Sequence, residues 1–239
     1  THSMEYRWLD LKKMPVWIHC KGYLVRDDNM KPLYMIGCIN EIGERQKADN
    51  ISGLLGETGF RQYMNQQDTP LETGYLLRIG IDHFKEINDN FGQEYGDFVL
   101  RKTADCISGC LSEGQKVYKL VADEFLILDV SSDKVRDAEK LYDKVREAID
   151  RFIEANKFKV MYTVSGGIVP FGTLGGDQYS EALKLTDFAL NEAKKLGRNR
   201  CYIFDRETYR KFLRKREITQ ELREAMLNGC QGFAAFYQP

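Results

Sequence analysis

Lys116-Val117-Tyr118-Lys119-Leu120-Val121-Ala122-Asp123-Glu124-Phe125-Leu126-Ile127-Leu128 is the stretch on which the reading of this chain turns. Two apolar, β-prone runs, 116–120 and 124–130, flank a short break, which is the pattern of a β-hairpin. Two carboxylates, Asp123 and Glu124, stand at its tip. Hydrophobic strands fix such a tip in space, so acids placed there are presented rather than scattered.

Outward from the hairpin, strand-like and helix-like segments alternate. Residues 74–81 read as a strand and 93–111 as a helix. Residues 133–155 read as a helix with Leu141, Val145, Ala148, Ile149 and Phe152 on one face. A strand over 159–169, a helix over 179–196 and a short strand over 201–204 follow, and 207–228 reads as one long charged helix. In the 179–196 helix Ala182, Leu183, Thr186, Ala189, Leu190 and Ala193 are expected to face inward. The fold class expected is α/β (α+β): a central, mostly antiparallel sheet packed with helices, plus an N-terminal β-hairpin remnant and a C-terminal helix.

Composition narrows the function. The 239 residues, 43% of them hydrophobic, suffice for a sizeable core. A formal net charge of -1 with both signs interspersed gives no global field for nucleic acid, so no nucleic-acid partner is expected. The basic cluster Arg210, Lys211, Arg214, Lys215 and Arg216 lacks interleaved base-stacking residues and reads as a solvated helix face. The six cysteines form no CxxC pair and only three histidines accompany them, so no zinc site is expected. Cys106 and Cys110 read as reduced core thiols, which with the absence of a signal peptide points to a cytoplasmic setting, or to the cytoplasmic part of a larger protein. The chain stops at Tyr237-Gln238-Pro239 inside an apolar stretch and reads as a piece of a longer protein.

Several further blocks stand in order around the hairpin: Gly80-Ile81-Asp82-His83-Phe84-Lys85-Glu86-Ile87-Asn88-Asp89, then Phe91-Gly92 and Gly96-Asp97, and later Ala193-Lys194-Lys195-Leu196-Gly197-Arg198-Asn199. With Val121-Ala122-Asp123-Glu124-Phe125 they resemble, over residues 48–205, the GGDEF family of diguanylate cyclases, which condense two GTP molecules into cyclic di-GMP. The resemblance implies a nucleotidyl-cyclase-like palm, with the GGDEF domain spanning 54–205.

It also implies site residues. Guanine presents two adjacent donors, suited to a carboxylate beside an amide, and Asn88 and Asp97 match the family's guanine-binding pair. Helix capping for Asn88 and a plain surface acid for Asp97 are the structural alternatives. Lys85, Lys194 and Arg198 match the phosphate-contacting cations, although Lys194 and Arg198 also suit a helix C-terminus electrostatically, and Gly197 suits its cap. Asp123 matches a metal ligand and Glu124 the residue that stabilises the transition state, with Mg²⁺ as the implied companion of the nucleotide.

The departures are as informative. The first metal acid of the family falls on Gly80, and the two glycines of the signature fall on Val121 and Ala122, whose Cβ atoms are expected to crowd ribose and α-phosphate and to reshape the turn. Asp82 shares a strand face with Gly80 but sits ~6–7 Å further along. It reads instead as the N-cap of the helix that begins at Phe84-Lys85. In Ile51-Ser52-Gly53-Leu54-Leu55-Gly56-Glu57 the family's Asn-Arg pair is replaced by Gly56-Glu57, and the product-inhibition motif Arg-x-x-Asp falls on Ser112-Glu113-Gly114-Gln115.

On either side the chain resembles other signalling modules. Residues 1–42, with the runs 16–20 and 33–39 around a turn, resemble the closing hairpin of a PAS sensor domain. Residues 43–53 are expected to form a linker helix, and 206–239 a second linker helix with the truncated start of an EAL phosphodiesterase domain. The reading that unites these features is a degenerate, GTP-binding regulatory GGDEF module between PAS and EAL partners. An active, dimeric diguanylate cyclase and a ligand-free, dimerising or signal-transmitting scaffold are the alternatives.

Overall fold

The computed structural model describes residues 2–9, 15–27, 29–41, 48–67, 69–132, 134–155, 158 and 160–230. Strand β5 (Tyr75–Ile81) is covered on both faces: Tyr75, Leu77, Ile79 and Ile81 join one core, and Leu76 joins another. A strand built that way must be central. It is: a six-stranded sheet runs in the order β4-β6-β7-β5-β8-β9. Here β4 is Leu55–Gly56, β6 is Gln115–Lys119, β7 is Glu124–Asp129, β8 is Val164–Pro170 and β9 is Cys201–Ile203.

The four central strands pair antiparallel, whereas the edge strands β4 and β9 pair parallel to β6 and β8. This is the mostly antiparallel sheet expected from the sequence. One face packs against α2 (Phe84–Phe91), α3 (Gln93–Cys110) and α4 (Val135–Ala155). The other packs against α1 (Glu57–Asn65), α5 (Gln178–Lys195) and the first turns of α6 (Arg206–Leu227).

Helix α5, which carries Lys194, packs on β8, and its seat there has a visible cause. A Cβ at Gly167 would lie 2.3 Å from the Leu190 backbone nitrogen, so only glycine lets the helix descend onto β8. The inward set is close to the one expected, with Ala182, Thr186, Ala189, Leu190 and Ala193 buried; Leu185 and Phe188 join them, and Leu183 is only half-buried.

At the N-terminus β2 (Pro15–Arg26) and β3 (Pro32–Glu41) form the expected hairpin, but β1 (His2–Leu9) adds a third antiparallel strand, giving the order β1-β2-β3. Helix α1, strand β4 and strand β1 are therefore additions to the sequence reading. Strand β8 begins at Val164, not at residue 159, because its ladder partner β5 ends at Ile81, opposite Val164. Residues 43–47 of the expected linker helix and 231–239 of the EAL-like segment lie outside the described residues, and 48–53 form no helix: Ala48 bridges Leu55 and the chain turns there, the Gly53 amide closing on the Asp49 carbonyl at 2.8 Å and the Asp49 amide on the Leu54 carbonyl at 2.7 Å. Among the described residues no helix is long and apolar enough to cross a membrane.

Candidate functional site

The acid-bearing tip is a tight turn between β6 and β7. The Leu120 amide donates to the Glu124 carbonyl at 2.9 Å and the Glu124 amide to the Val121 carbonyl at 3.3 Å. The left-handed conformation falls on Ala122 alone, at φ 56°, while Val121 keeps a negative φ and turns its side chain into solvent, 73% exposed. The β-branched residue thus escapes the strained position, and alanine takes it.

Beneath the turn lies Lys119, a buried ammonium that donates to the Leu120 carbonyl at 2.9 Å and also to the carbonyls of Ala122 and Glu124. Burial lowers its pKa, against the pull of Asp49, Asp123 and Glu124. Asp49, which caps its own loop through the Ser52 amide and hydroxyl, stays below the usual carboxylate range; burial works against this, and the Ser52 hydrogen bonds, Lys119 and the Ile51 amide together outweigh it.

Strand alternation directs Arg78 and Gly80 toward α5. Gly80 pairs with Glu124 across the β5/β7 ladder. A Cβ at Gly80 would lie 3.1 Å from Lys194 Nζ and 3.2 Å from Leu190 Cδ2, so the lysine head fills the space that a side chain at position 80 would take. Lys194 Nζ is 3.8 Å from Glu124 Oε1. On the other side of the same carboxylate, Arg78 Nε donates to Oε2 at 2.7 Å and its terminal nitrogen reaches the same oxygen. Arg78 also donates to the Leu183 carbonyl at 3.1 Å and stands 3.5 Å from Asp187 Oδ1. Glu124 is held inside this network, in keeping with the expectation that it has no substrate to act on.

Asp123 is half-buried beside it. Burial raises its pKa, Lys194 counters that, and Glu124 reinforces it. Mg²⁺ asks for one or two free carboxylates in near-octahedral array. Here Asp123 stands alone, Glu124 is engaged and an ammonium occupies the Gly80 space. Among the described residues no group of three or more His, Cys, Asp or Glu side chains is disposed to hold a metal. The residues do not fit the ion.

Asp82 departs from its expected role. The N-cap of α2 is His83, at φ 57° and without a side-chain cap bond. Asp82 is instead buried, accepting from Thr163 Oγ1 and Ser165 Oγ at 2.7 Å each and from the Asn199 amide at 3.1 Å. It fastens the end of β5 to β8 and to the loop after α5. With three donors on its two oxygens it is not a substitute for an acid at position 80.

Asn88 and Asp97, the two residues expected to select the base, lie on the two helices that meet at the α2/α3 junction. Asn88 lies inside α2, not at its cap, and packs on Gly96, where a Cβ would fall 1.8 Å from Asn88 Oδ1. That oxygen is buried and has no hydrogen-bond partner among the described residues. Half-buried Asp97 follows Gly96 directly, and exposed Lys85 sits one turn before Asn88 on α2. Lys194 lies in the last turn of α5, whereas Arg198 lies beyond it, exposed and left-handed at φ 60°, after Gly197 at φ 116°. The Arg198 amide closes the helix end on the Ala193 carbonyl at 3.2 Å.

The Ser112–Gln115 segment is occupied structurally: Gln115 Oε1 accepts from the Ser112 amide at 2.7 Å and its Nε2 donates to Asp129 at 2.6 Å. Arg78 and Lys119 are cations of this neighbourhood that the motifs do not include, as Asp49 and Asp187 are among its acids. The sequence signals Arg78 as a cation in the middle of an apolar strand, whereas Lys119 stands at the end of β6.

The sequence profile of the family described as "Diguanylate cyclase, GGDEF domain" matches residues 47–200. The cyclic di-GMP phosphodiesterase NbdA of Pseudomonas aeruginosa is 29% identical over 192 residues, 76% of this chain and 24% of that protein. The diguanylate cyclase VdcA of Vibrio cholerae is 26% identical over 189 residues, 76% of this chain and 55% of that protein. The chain thus spans between about a quarter and about half of the length of these relatives. The solved GGDEF domain of TpbB (YfiN) from Pseudomonas aeruginosa superposes with a TM-score of 0.60 at 25% identity, over 70% of this chain and 99% of that one. With the profile matching well over half of its length, the chain belongs to the GGDEF domain family of diguanylate cyclases.

Proposed function

We propose that this chain carries a GGDEF domain that binds GTP without turning it over and serves as a regulatory module in a cyclic di-GMP signalling protein. The observation that carries the reading is the Gly80 space: the acid is missing and Lys194 Nζ would stand 3.1 Å from its Cβ. Phosphoryl transfer by this family relies on metal held between two acids. With one acid gone and Glu124 paired to Arg78 and Lys194, the chemistry has lost its cation while the binding residues remain.

In this reading Asp97 and Asn88 meet the guanine edge, the orphan amide oxygen of Asn88 marking a polar group whose partner is the ligand or its water. Lys85, Lys194 and Arg198 take the phosphates. Residues 1–42 would be the end of a PAS sensor and 206–239 the approach to an EAL domain, which accords with a phosphodiesterase among the relatives. A homodimer and a cytoplasmic location are compatible with this arrangement.

Calorimetric titration of the chain with GTP in Mg²⁺ buffer, with ATP as control, tests it. Saturable heat for GTP alone, abolished by Asp97→Ala, is expected. Continuing heat of reaction with cyclic di-GMP as product would make the chain an active cyclase. Silence with both nucleotides on folded protein would leave a scaffold, a reading favoured by how completely Glu124 and Asp82 are satisfied internally.

A further inference from the structure

We infer that nucleotide binding at this site needs no divalent metal, because Lys194 is a resident cation in its place. The inference rests on the GTP-binding reading and adds the ionic form of the ligand. Around the tip three cations, Arg78, Lys119 and Lys194, stand among four carboxylates, Asp49, Asp123, Glu124 and Asp187. An Asp at position 80 would add a fifth, a further negative charge against a triphosphate that a divalent ion would have to offset. With Gly80 that charge is absent, and the ammonium fills the vacated space.

A Mg²⁺ entering beside Asp123 would meet an ammonium whose head is steered by Glu124 at 3.8 Å, and Glu124 is itself fixed by the Arg78 fork. Like charge repels the ion, and no free second carboxylate rewards it. The metal-free triphosphate, with its higher negative charge, gains more from Lys85, Lys194 and Arg198 than the metal complex does. Lys194 is therefore a ligand-selecting residue, with Gly80 as the cause.

The test is GTP titration of the purified chain in EDTA and in Mg²⁺. The dissociation constant in EDTA is expected to match that in Mg²⁺ within about threefold, or to be tighter, and a value in EDTA weaker by more than about threefold overturns the inference. Lys194→Met should weaken binding in EDTA by about tenfold or more. Gly80→Asp, whose Cβ needs only a shift of the flexible Lys194 head, should create a requirement for Mg²⁺ of about tenfold. Both variants are checked for unchanged thermal unfolding, and an unchanged metal response in folded Gly80→Asp also overturns the inference. Binding that appears only with Mg²⁺ removes this inference and leaves the GTP reading intact; no binding in either buffer removes both.

Discussion

Ala122 sits at φ 56°, a conformation that costs an L-residue about 1 kcal/mol, while its neighbour Val121 does not. The two positions that replace the family's glycines are therefore not equivalent. Ala122→Gly removes left-handed strain and should raise the unfolding free energy by about 0.5 kcal/mol after the entropy that glycine adds to the unfolded chain. Val121→Gly relieves nothing and should lower it by about 0.5–1 kcal/mol through that same entropy. Urea denaturation of the two single variants measures this, and a gain from Val121→Gly would show that the turn is strained at the wrong residue for our account. The sequence shows two unsuited side chains. It cannot show that the turn rotates one of them into solvent, because that choice is made by the Lys119 ammonium gripping the carbonyls below.

Among elements, the joint of β5, β8 and the loop after α5 is held by one buried carboxylate. Losing Asp82 removes hydrogen bonds to Thr163, Ser165 and the Asn199 amide and leaves a buried Ser165 hydroxyl without its acceptor. Asp82→Ala should cost about 3 kcal/mol and release the Asn199 amide to solvent exchange. Protection of that amide unchanged by the substitution would mean that the loop carrying Arg198 is fixed by something else. The strands and long helices are legible in the sequence because their periodicities are long: the apolar face of α4 and the two-sided β5 admit one assignment each. Helix α1 escapes such reading because its nine residues bury only Phe60 and Met64, too few to set a period. Of the site, the blocks local in sequence are readable. The Arg78–Glu124 pair is not, since its partners are 46 residues apart and only strand register brings them together. Asp82 is mistaken for a cap for the same reason, its three donors coming from β8, the residue before that strand and the loop beyond α5.

For the molecule as a whole, the tyrosines decide its behaviour in alkali. Tyr118 and Tyr162 are pushed up to about 12 by burial. Tyr75 and Tyr142 are pushed higher still, by burial first and then by Asp129 for Tyr75 and by Cys201 for Tyr142. An unfolded tyrosine ionises near pH 10. Each folded pKa is raised, so the stabilisation is whole below about pH 10 and drains as pH climbs from there toward about 12, where the folded phenols would themselves ionise. Lys119 opposes this: its folded pKa is lowered by burial, so stability rises as pH climbs from that folded value to the lysine range. One lysine, whose contribution is complete near pH 10.4, faces four tyrosines that together remove up to about 5 kcal/mol per pH unit, so the tyrosines win. With a domain stability of about 5–10 kcal/mol, cooperative unfolding is expected between about pH 11 and 12. Parallel titrations by circular dichroism and by phenolate absorbance check it: loss of secondary structure should coincide with a steep phenolate step. Smooth phenolate titration of all thirteen tyrosines near pH 10 with the fold intact would mean that these four rings are open to water and that both sheet faces are packed less tightly than described.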